Sequence, residues 1–216
     1  MRIAIVPLLL TSIGCSPGPA LALMEALSGP QRADTERLLT TDATLATPER
    51  TIEGQQTVHA ALVELPSGGR AAGHHDVAQL VLPDALLFAI GAEAVHSLAL
   101  FEDAEVDAPA AIDDYVAAWN ESSADRRESL LGIYAERGRY VDPTADAVGR
   151  EALLAHLTAF RNSMPGTILE RTGPVRQAGR WYAFEWVMTS GETTTLGLDV
   201  VELDDAGQLV LVAGFF

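Results

Sequence analysis

The feature that most constrains this chain is that it repeats itself. A shift of 95 residues, without gaps, lays Met24 on Trp119, Arg32 on Arg127, Leu38 on Ile133 and Leu39 on Tyr134. The same shift lays Leu45 on Tyr140, Pro48 on Pro143, Gly54 on Gly149, Val58 on Leu153 and Leu62 on Leu157. Apolar positions, a strand-stopping proline and a glycine coincide together, so two copies of one supersecondary unit are expected rather than two unrelated halves. Beyond Leu65 the register needs gaps. There residues 77–82, 86–90 and 95–101 read as strands, and Glu105-Val106-Asp107-Ala108-Pro109 leads straight into the second copy. The first copy is therefore expected to be trimmed, lacking a last strand that would match residues 210–215. The organisation expected is residues 1–14, 15–20 as a tether, a first repeat over 21–105 and a second over 109–216.

The second copy carries the clearer pattern. Tyr140-Val141-Asp142-Pro143 reads as a strand ended by proline, followed by a helix opened near Gly149-Arg150-Glu151-Ala152-Leu153. Pro143 has no N–H for a sheet ladder and biases Asp142 towards an extended conformation, which fixes Asp142 at a strand end. Upstream, Ile112, Tyr115, Val116 and Trp119 recur at the spacing of an amphipathic helix. Downstream, residues 181–188, 195–203 and 209–215 read as strands, the last two joined at Asp205-Ala206-Gly207. The fold class is α+β: in each copy, helices packed on a curved, mostly antiparallel sheet make a cone, with Asp142 near the mouth of the second. Trp181, Ala183 and Val187 alternate with Tyr182, Phe184, Trp186 and Met188, so both faces of that strand are apolar. Helices can cover the concave face only. The simplest cover for the other is the second sheet, which predicts an internal pseudo-dimer in a monomeric chain.

Composition narrows the partners. The 216 residues carry a formal charge of −16, all 14 basic residues are arginine, and they form no block. No nucleic-acid partner is expected. At the start, one arginine precedes a short apolar run, and Thr11-Ser12-Ile13-Gly14 leads to Cys15, the only cysteine. This is the pattern of an export signal over residues 1–14, too short to span a membrane as a helix, with lipidation at Cys15 in the manner of a bacterial envelope lipoprotein. A competing cut after Ala22 would discard Cys15 and give a secreted or periplasmic product. Any membrane contact is expected through the lipid alone.

From about residue 109 onward the chain resembles the nuclear transport factor 2-like superfamily, and within it the SnoaL-like polyketide cyclases and ketosteroid isomerases. The residues that carry the resemblance are Tyr115-Val116-Ala117-Ala118-Trp119-Asn120, Val141-Asp142-Pro143, Gly149 with Ala152-Leu153, Gly197-Leu198-Asp199 and Gly214-Phe215-Phe216. In the isomerases a tyrosine and a protonated aspartic acid form an oxyanion hole while an aspartate shuttles a proton. The resemblance implies those roles for Tyr115, Asp199 and Asp142 respectively.

The residues themselves leave alternatives beside each role. Tyr115 lies on an apolar helix stripe, so its hydroxyl either donates to a ligand oxygen or bonds a backbone carbonyl. Asp199 alternates with Val201 and Leu203, where desolvation favours a neutral carboxyl unless Arg139, Arg150 or Arg180 pairs with it. Asp142 is either a partly wet general base or a turn residue, and an arginine clamp from Arg139 or Arg150 would spoil it as a base. Trp119, Tyr140, His156 and Trp186 are expected to line the pocket. The first copy has Ala20 for Tyr115, Thr47 for Asp142 and about Ser97 for Asp199, so any chemistry belongs to the second. His74-His75-Asp76 is weak as a metal motif because adjacent strand residues point to opposite faces. No phosphate-cradling glycine motif, nucleophile elbow or metal spacing appears, and no cofactor is expected. Two functions stand: an exported module binding a small apolar molecule, and an isomerase or cyclase moving a proton next to a carbonyl.

Overall fold

The structure is a computed structural model that describes residues 18–216 apart from 31, 67, 83, 122 and 123. Residues 1–14 and Cys15 lie outside the described residues. The first unit runs α1 (Pro19–Ser28), a 3-10 segment (Arg32–Leu38), β1 (Leu39–Ala46), β2 (Thr51–Glu53), α2 (Gln55–Val63), β3 (Arg70–His74), β4 (Val77–Val81), β5 (Ala85–Ile90) and β6 (Val95–Glu102). The second runs α3 (Ala110–Asn120), α4 (Ala124–Ile133), β7 (Tyr134–Asp142), β8 (Ala145–Val148), α5 (Arg150–Ser163), β9 (Ile168–Ala178), β10 (Trp181–Ser190), β11 (Thr193–Leu203) and β12 (Leu209–Phe215).

The glycine shared by the two copies has a backbone reason. Gly54 and Gly149 sit just before α2 and α5 with φ of 89° and 83°, a region that side chains with a Cβ rarely adopt. Each carbonyl accepts the N–H four residues on, from Val58 and Leu153, which starts the helix and turns its apolar face back onto the sheet.

The two units have the same topology, which corrects the expected trimming. Their sheets are ordered β2-β1-β6-β5-β4-β3 and β8-β7-β12-β11-β10-β9, six strands each, and β6 is the counterpart of β12. The first unit is shortened within strands instead: β3 to β5 hold 5, 5 and 6 residues against 11, 10 and 11 for β9 to β11. What the hydropathy pattern hid was the edge strands. β3 reads Arg-Ala-Ala-Gly-His with no β-branched residue, and β9 is interrupted by Gly173-Pro174, tolerable only at a sheet edge.

Register also moves one internal comparison. Ala46 pairs with Ala99 and Val141 with Ala213; Phe88 pairs with Ala99 and Val200 with Ala213. Because Ala46 stands where Val141 does, Leu87 is the counterpart of Asp199, and Ser97 is not. The shorter hairpins of the first unit displace the linear alignment.

Three apolar layers hold the molecule. One fills each cone between helices and concave sheet face. The third lies between the convex faces, where Val77, Phe88 and Phe101 meet Trp181, Val200 and Phe215. The Phe88 ring stands 5.2 Å from Trp181 and 6.3 Å from Phe215. The expected pseudo-dimer is therefore the observed packing, sheet against sheet.

Candidate functional site

The second cone draws its polar groups from five elements. α3 supplies Tyr115 and Trp119, β7 supplies Tyr140 and Asp142, α5 supplies His156, β10 supplies Trp186 and β11 supplies Asp199. In strands, alternation puts Asp199, Val201 and Leu203 on the concave face, and the last two join the cone's core.

Asp142 ends β7 buried, at 4% exposure, where a partly wet side chain was expected. The reason is local. Its Oδ1 accepts from the Thr144 N–H at 2.6 Å, the Thr144 hydroxyl at 2.8 Å and the Ala145 N–H at 2.7 Å, folding the Asp-Pro-Thr turn over the carboxyl. Its Oδ2 accepts from the Tyr140 hydroxyl at 2.8 Å. Neither arginine clamps it: Arg139 pairs with Asp76 and Asp146, and Arg150 donates to the Tyr134 carbonyl.

Asp199 is equally buried, and its partners are neutral. Oδ2 accepts from the Tyr115 hydroxyl at 2.9 Å and Oδ1 from the Trp186 indole N–H at 2.7 Å. Burial pushes its pKa up to about 7, against the pull of those two donors, and the Asp142 charge adds to the rise. Arg180, a candidate partner, bonds Leu203 and Glu202 instead. Burial likewise carries the Tyr115 and Tyr140 hydroxyls well above the usual phenol range, with Asp199 and Asp142 the respective leading charges.

The two aspartates flank Gly214 on β12. A Cβ at that residue would lie 3.1 Å from Asp199 Oδ1, 3.5 Å from Asp142 Cβ and 3.8 Å from Tyr140 Oη. A second glycine makes room for the indole: a Cβ on Gly197, the residue facing Trp186 across the ladder, would stand 2.1 Å from the Trp186 ring.

Beside the carboxyls lies an aromatic wall. Tyr140 stacks on His156 at 5.0 Å, and Trp119 stands 5.5 Å from Tyr140 and 4.9 Å from Phe160, edge to face with the latter. Burial lowers the pKa of His156, so its ring is neutral at pH 7. Two polar atoms in this wall, Trp119 Nε1 and His156 Nε2, are buried with no hydrogen-bond partner in the protein.

Residues 112–212 match the SnoaL-like domain. A SnoaL-like family protein from Agrobacterium tumefaciens is 35% identical over 49% of this chain and 92% of its own, with a TM-score of 0.46. The chain belongs to the SnoaL-like family. Other similar structures are a protein of ketosteroid isomerase-like fold from Catenulispora acidiphila, in complex with trimethylamine, and an NTF2-like protein from an Exiguobacterium. The former is 18% identical over 51% of this chain and 87% of its own, with a TM-score of 0.45. The latter is 15% identical over 48% and 95%, with a TM-score of 0.43. None of the curated proteins matches the chain.

Within this SnoaL-like chain the polar cluster is confined to the second unit. The counterparts of Tyr115, Trp119, Tyr140 and Asp199 are Ala20, Met24, Leu45 and Leu87, all buried in the first cone. Two hollows on the first unit, of about 500 Å³ at Asp34, Arg37 and Gln55 and about 320 Å³ at Arg50, Glu53 and Ala61, touch none of the cluster. Among the described residues no group of three or more His, Cys, Asp and Glu is placed to hold a metal. Asn120, part of a formal glycosylation triplet, is bonded on both sides to the Leu169 backbone and ties α3 to β9. Sequence reasoning missed the roles of Gly197 and Gly214. Glycine inside a strand was the available signal.

Proposed function

We propose that the SnoaL-like unit binds a small, largely apolar molecule that presents a hydrogen-bond acceptor to Trp119. The observation that carries this is the pair of partnerless polar atoms, Trp119 Nε1 and His156 Nε2, set in an otherwise aromatic wall. A buried N–H without a partner costs about 1–3 kcal/mol, so a ligand atom that satisfies it gains that much over an apolar one. Indole nitrogen can only donate, which requires an acceptor on the ligand, such as a carbonyl, ether, hydroxyl or carboxyl oxygen. Thermal-shift titration with a panel of cyclic ketones, enones and lactones tests it. Stabilisation by panel members is expected, and Trp119→Phe weakens their binding about tenfold or more. Wild type unmoved by every member at millimolar concentration would sink the reading.

A second reading is favoured by the two buried aspartates that flank Gly214, one with its pKa raised to about 7. There Asp142 moves a proton next to a ligand carbonyl while Tyr115 and Asp199 hold the oxygen. The observed bonds set a condition on it: Tyr115 donates to Asp199, so its hydroxyl must turn away before it can serve a ligand. Enone isomerisation or aldol cyclisation that is unaltered by Asp142→Asn would rule this reading out.

The chain is also proposed to be exported and held at the cell envelope by lipid on Cys15. The apolar run before Cys15 supports this. Mass spectrometry of the exported protein should find a diacylated Cys15 N-terminus. A mature chain starting at Leu23 would contradict it.

A further inference from the structure

The first unit has only apolar residues where the second has Tyr115, Trp119, Tyr140 and Asp199, yet it reaches into that cluster from behind. Its β3–β4 turn, His75-Asp76, lies against the β7 and β12 ends of the second sheet. His74 Nε2 bonds the Gly214 carbonyl at 2.7 Å, and its ring packs 5.0 Å from Phe215. A carbonyl only accepts, so Nε2 carries the proton, and Nδ1 is left buried without a partner. The β7–β12 ladder ends at Val141 and Ala213, one residue short of Gly214. His74 therefore holds the carbonyl just past the end of that ladder, at the residue wedged between Asp199 and Asp142. Asp76 takes Arg139 in a two-pronged bond of 2.6 and 2.8 Å, and the same guanidinium grips Asp146 on β8. Arg139 immediately precedes Tyr140, and β7 with β8 brackets the Asp142 turn.

The pseudo-symmetry supplies a control. Ala178 pairs with Trp181 as His74 pairs with Val77, and each hairpin turns on two residues. His74, His75 and Asp76 thus correspond to Ala178, Gly179 and Arg180. Ala178 has no polar side chain, and Arg180 bonds Leu203 and pairs with Glu202 and Asp205 of its own unit. Thr44, the counterpart of Arg139, donates to His96 of its own unit. At these matched positions the polar grip runs from the unit without the cluster to the unit with it; elsewhere between the units Arg176 pairs with the exposed Asp103 at 3.6 Å, on the opposite sheet edge from β7. Two sheets that needed only mutual cover would be served by the apolar layer between them.

We propose that the first unit serves as a positioning element for the second unit's site, acting through His74 on Gly214 and through Asp76 on Arg139. His74 and Asp76 are positioning residues. They touch no ligand, and they keep the strand ends closed so that water stays out of the Asp199 and Asp142 carboxyls. The inference rests on the reading of that cluster as a binding site.

The test uses the whole chain and no ligand, so its failure is separate from failure of the binding assay. The Trp186 indole N–H, bonded to Asp199, reports the Asp199 proton in a heteronuclear NMR pH titration, with Trp186→Phe to assign the signal. His74→Leu should free the Gly214 carbonyl, admit water and lower the titration midpoint by about one unit, a tenfold change in the Asp199 equilibrium. His74→Gln, which keeps a donor, should restore it, and Asp76→Asn should shift it in the same direction by less. If His74→Leu does not fold, Asp76→Asn and His74→Gln decide by the same signal. A midpoint that stays at the wild-type value in every folded variant overturns the proposal, whatever happens to the melting temperature. A shift in His74→Leu that His74→Gln does not restore also overturns it, since bulk rather than the hydrogen bond would be acting.

Discussion

Among single residues, Asp199 sets the charge state of the second cone. Its pKa is raised from an ordinary 3.8 to about 7, so the folded chain keeps a proton that the unfolded chain has already released. Where the unfolded state binds fewer protons, stability falls as pH rises. Asp199 thus contributes a loss of on the order of 4 kcal/mol across that window, full stability lying below it and a plateau above about pH 7. Asp199→Asn keeps an acceptor for Trp186 and carries no charge, so the Asp199 part of the slope should vanish and the variant should gain on wild type as pH rises towards 8. Urea denaturation of both proteins at pH 5 and pH 8 measures this. A difference between them that is the same at both pH values would show an ordinary carboxyl. The sequence made this residue legible, because a carboxyl alternating with Val201 and Leu203 has little choice but burial. Its partners were not legible: Trp186 stands on another strand, and only the register of β10 on β11 brings its nitrogen to Asp199.

At the scale of elements, what could be read in advance was whatever repeats locally. The stripe Ile112, Tyr115 and Trp119 gave α3, the Asp-Pro stop gave the end of β7, and the shared glycine marked the starts of α2 and α5. Edge strands β3 and β9 escaped because an edge strand buries little and tolerates polar, Gly and Pro residues. With β3 went the six-strand count and the His74–Gly214 bond, while the shorter hairpins hid Leu87 as the counterpart of Asp199. The close packing of β10 on β11 yields a second prediction. Gly197→Ala puts a methyl into the Trp186 ring, which must swing off the sheet and give up Asp199. A loss of at least about 1–3 kcal/mol is expected, with a red-shifted tryptophan emission as the indole meets water. Unchanged stability and emission would mean that the Trp186–Asp199 bond does not hold in solution.

On the scale of the whole molecule, the repeat and the two-faced strands together imply the sandwich, and the convex faces do meet in one apolar layer. Phe88 sits in the middle of that layer, fully buried between units. Phe88→Ala should cost about 3–5 kcal/mol and lower a single melting transition rather than split it. Two separate endotherms in calorimetry of the wild type would show that the units fold independently. The division of labour is a property of this scale too: one cone is packed with leucine, alanine and methionine, while the other keeps tyrosine, tryptophan and aspartate in the same places. The chain's three tryptophans sample that division, with Trp119 in the aromatic wall, Trp186 on Asp199 and Trp181 in the layer between sheets. The most direct measurement is therefore an NMR titration of the three indole N–H signals with a cyclic ketone that stabilises the protein. The Trp119 signal should move most and in the direction of a new hydrogen bond, Trp186 should follow, and Trp181 should stay still. Movement confined to Trp181, or none at Trp119 while the ligand binds, would contradict a site in the second cone.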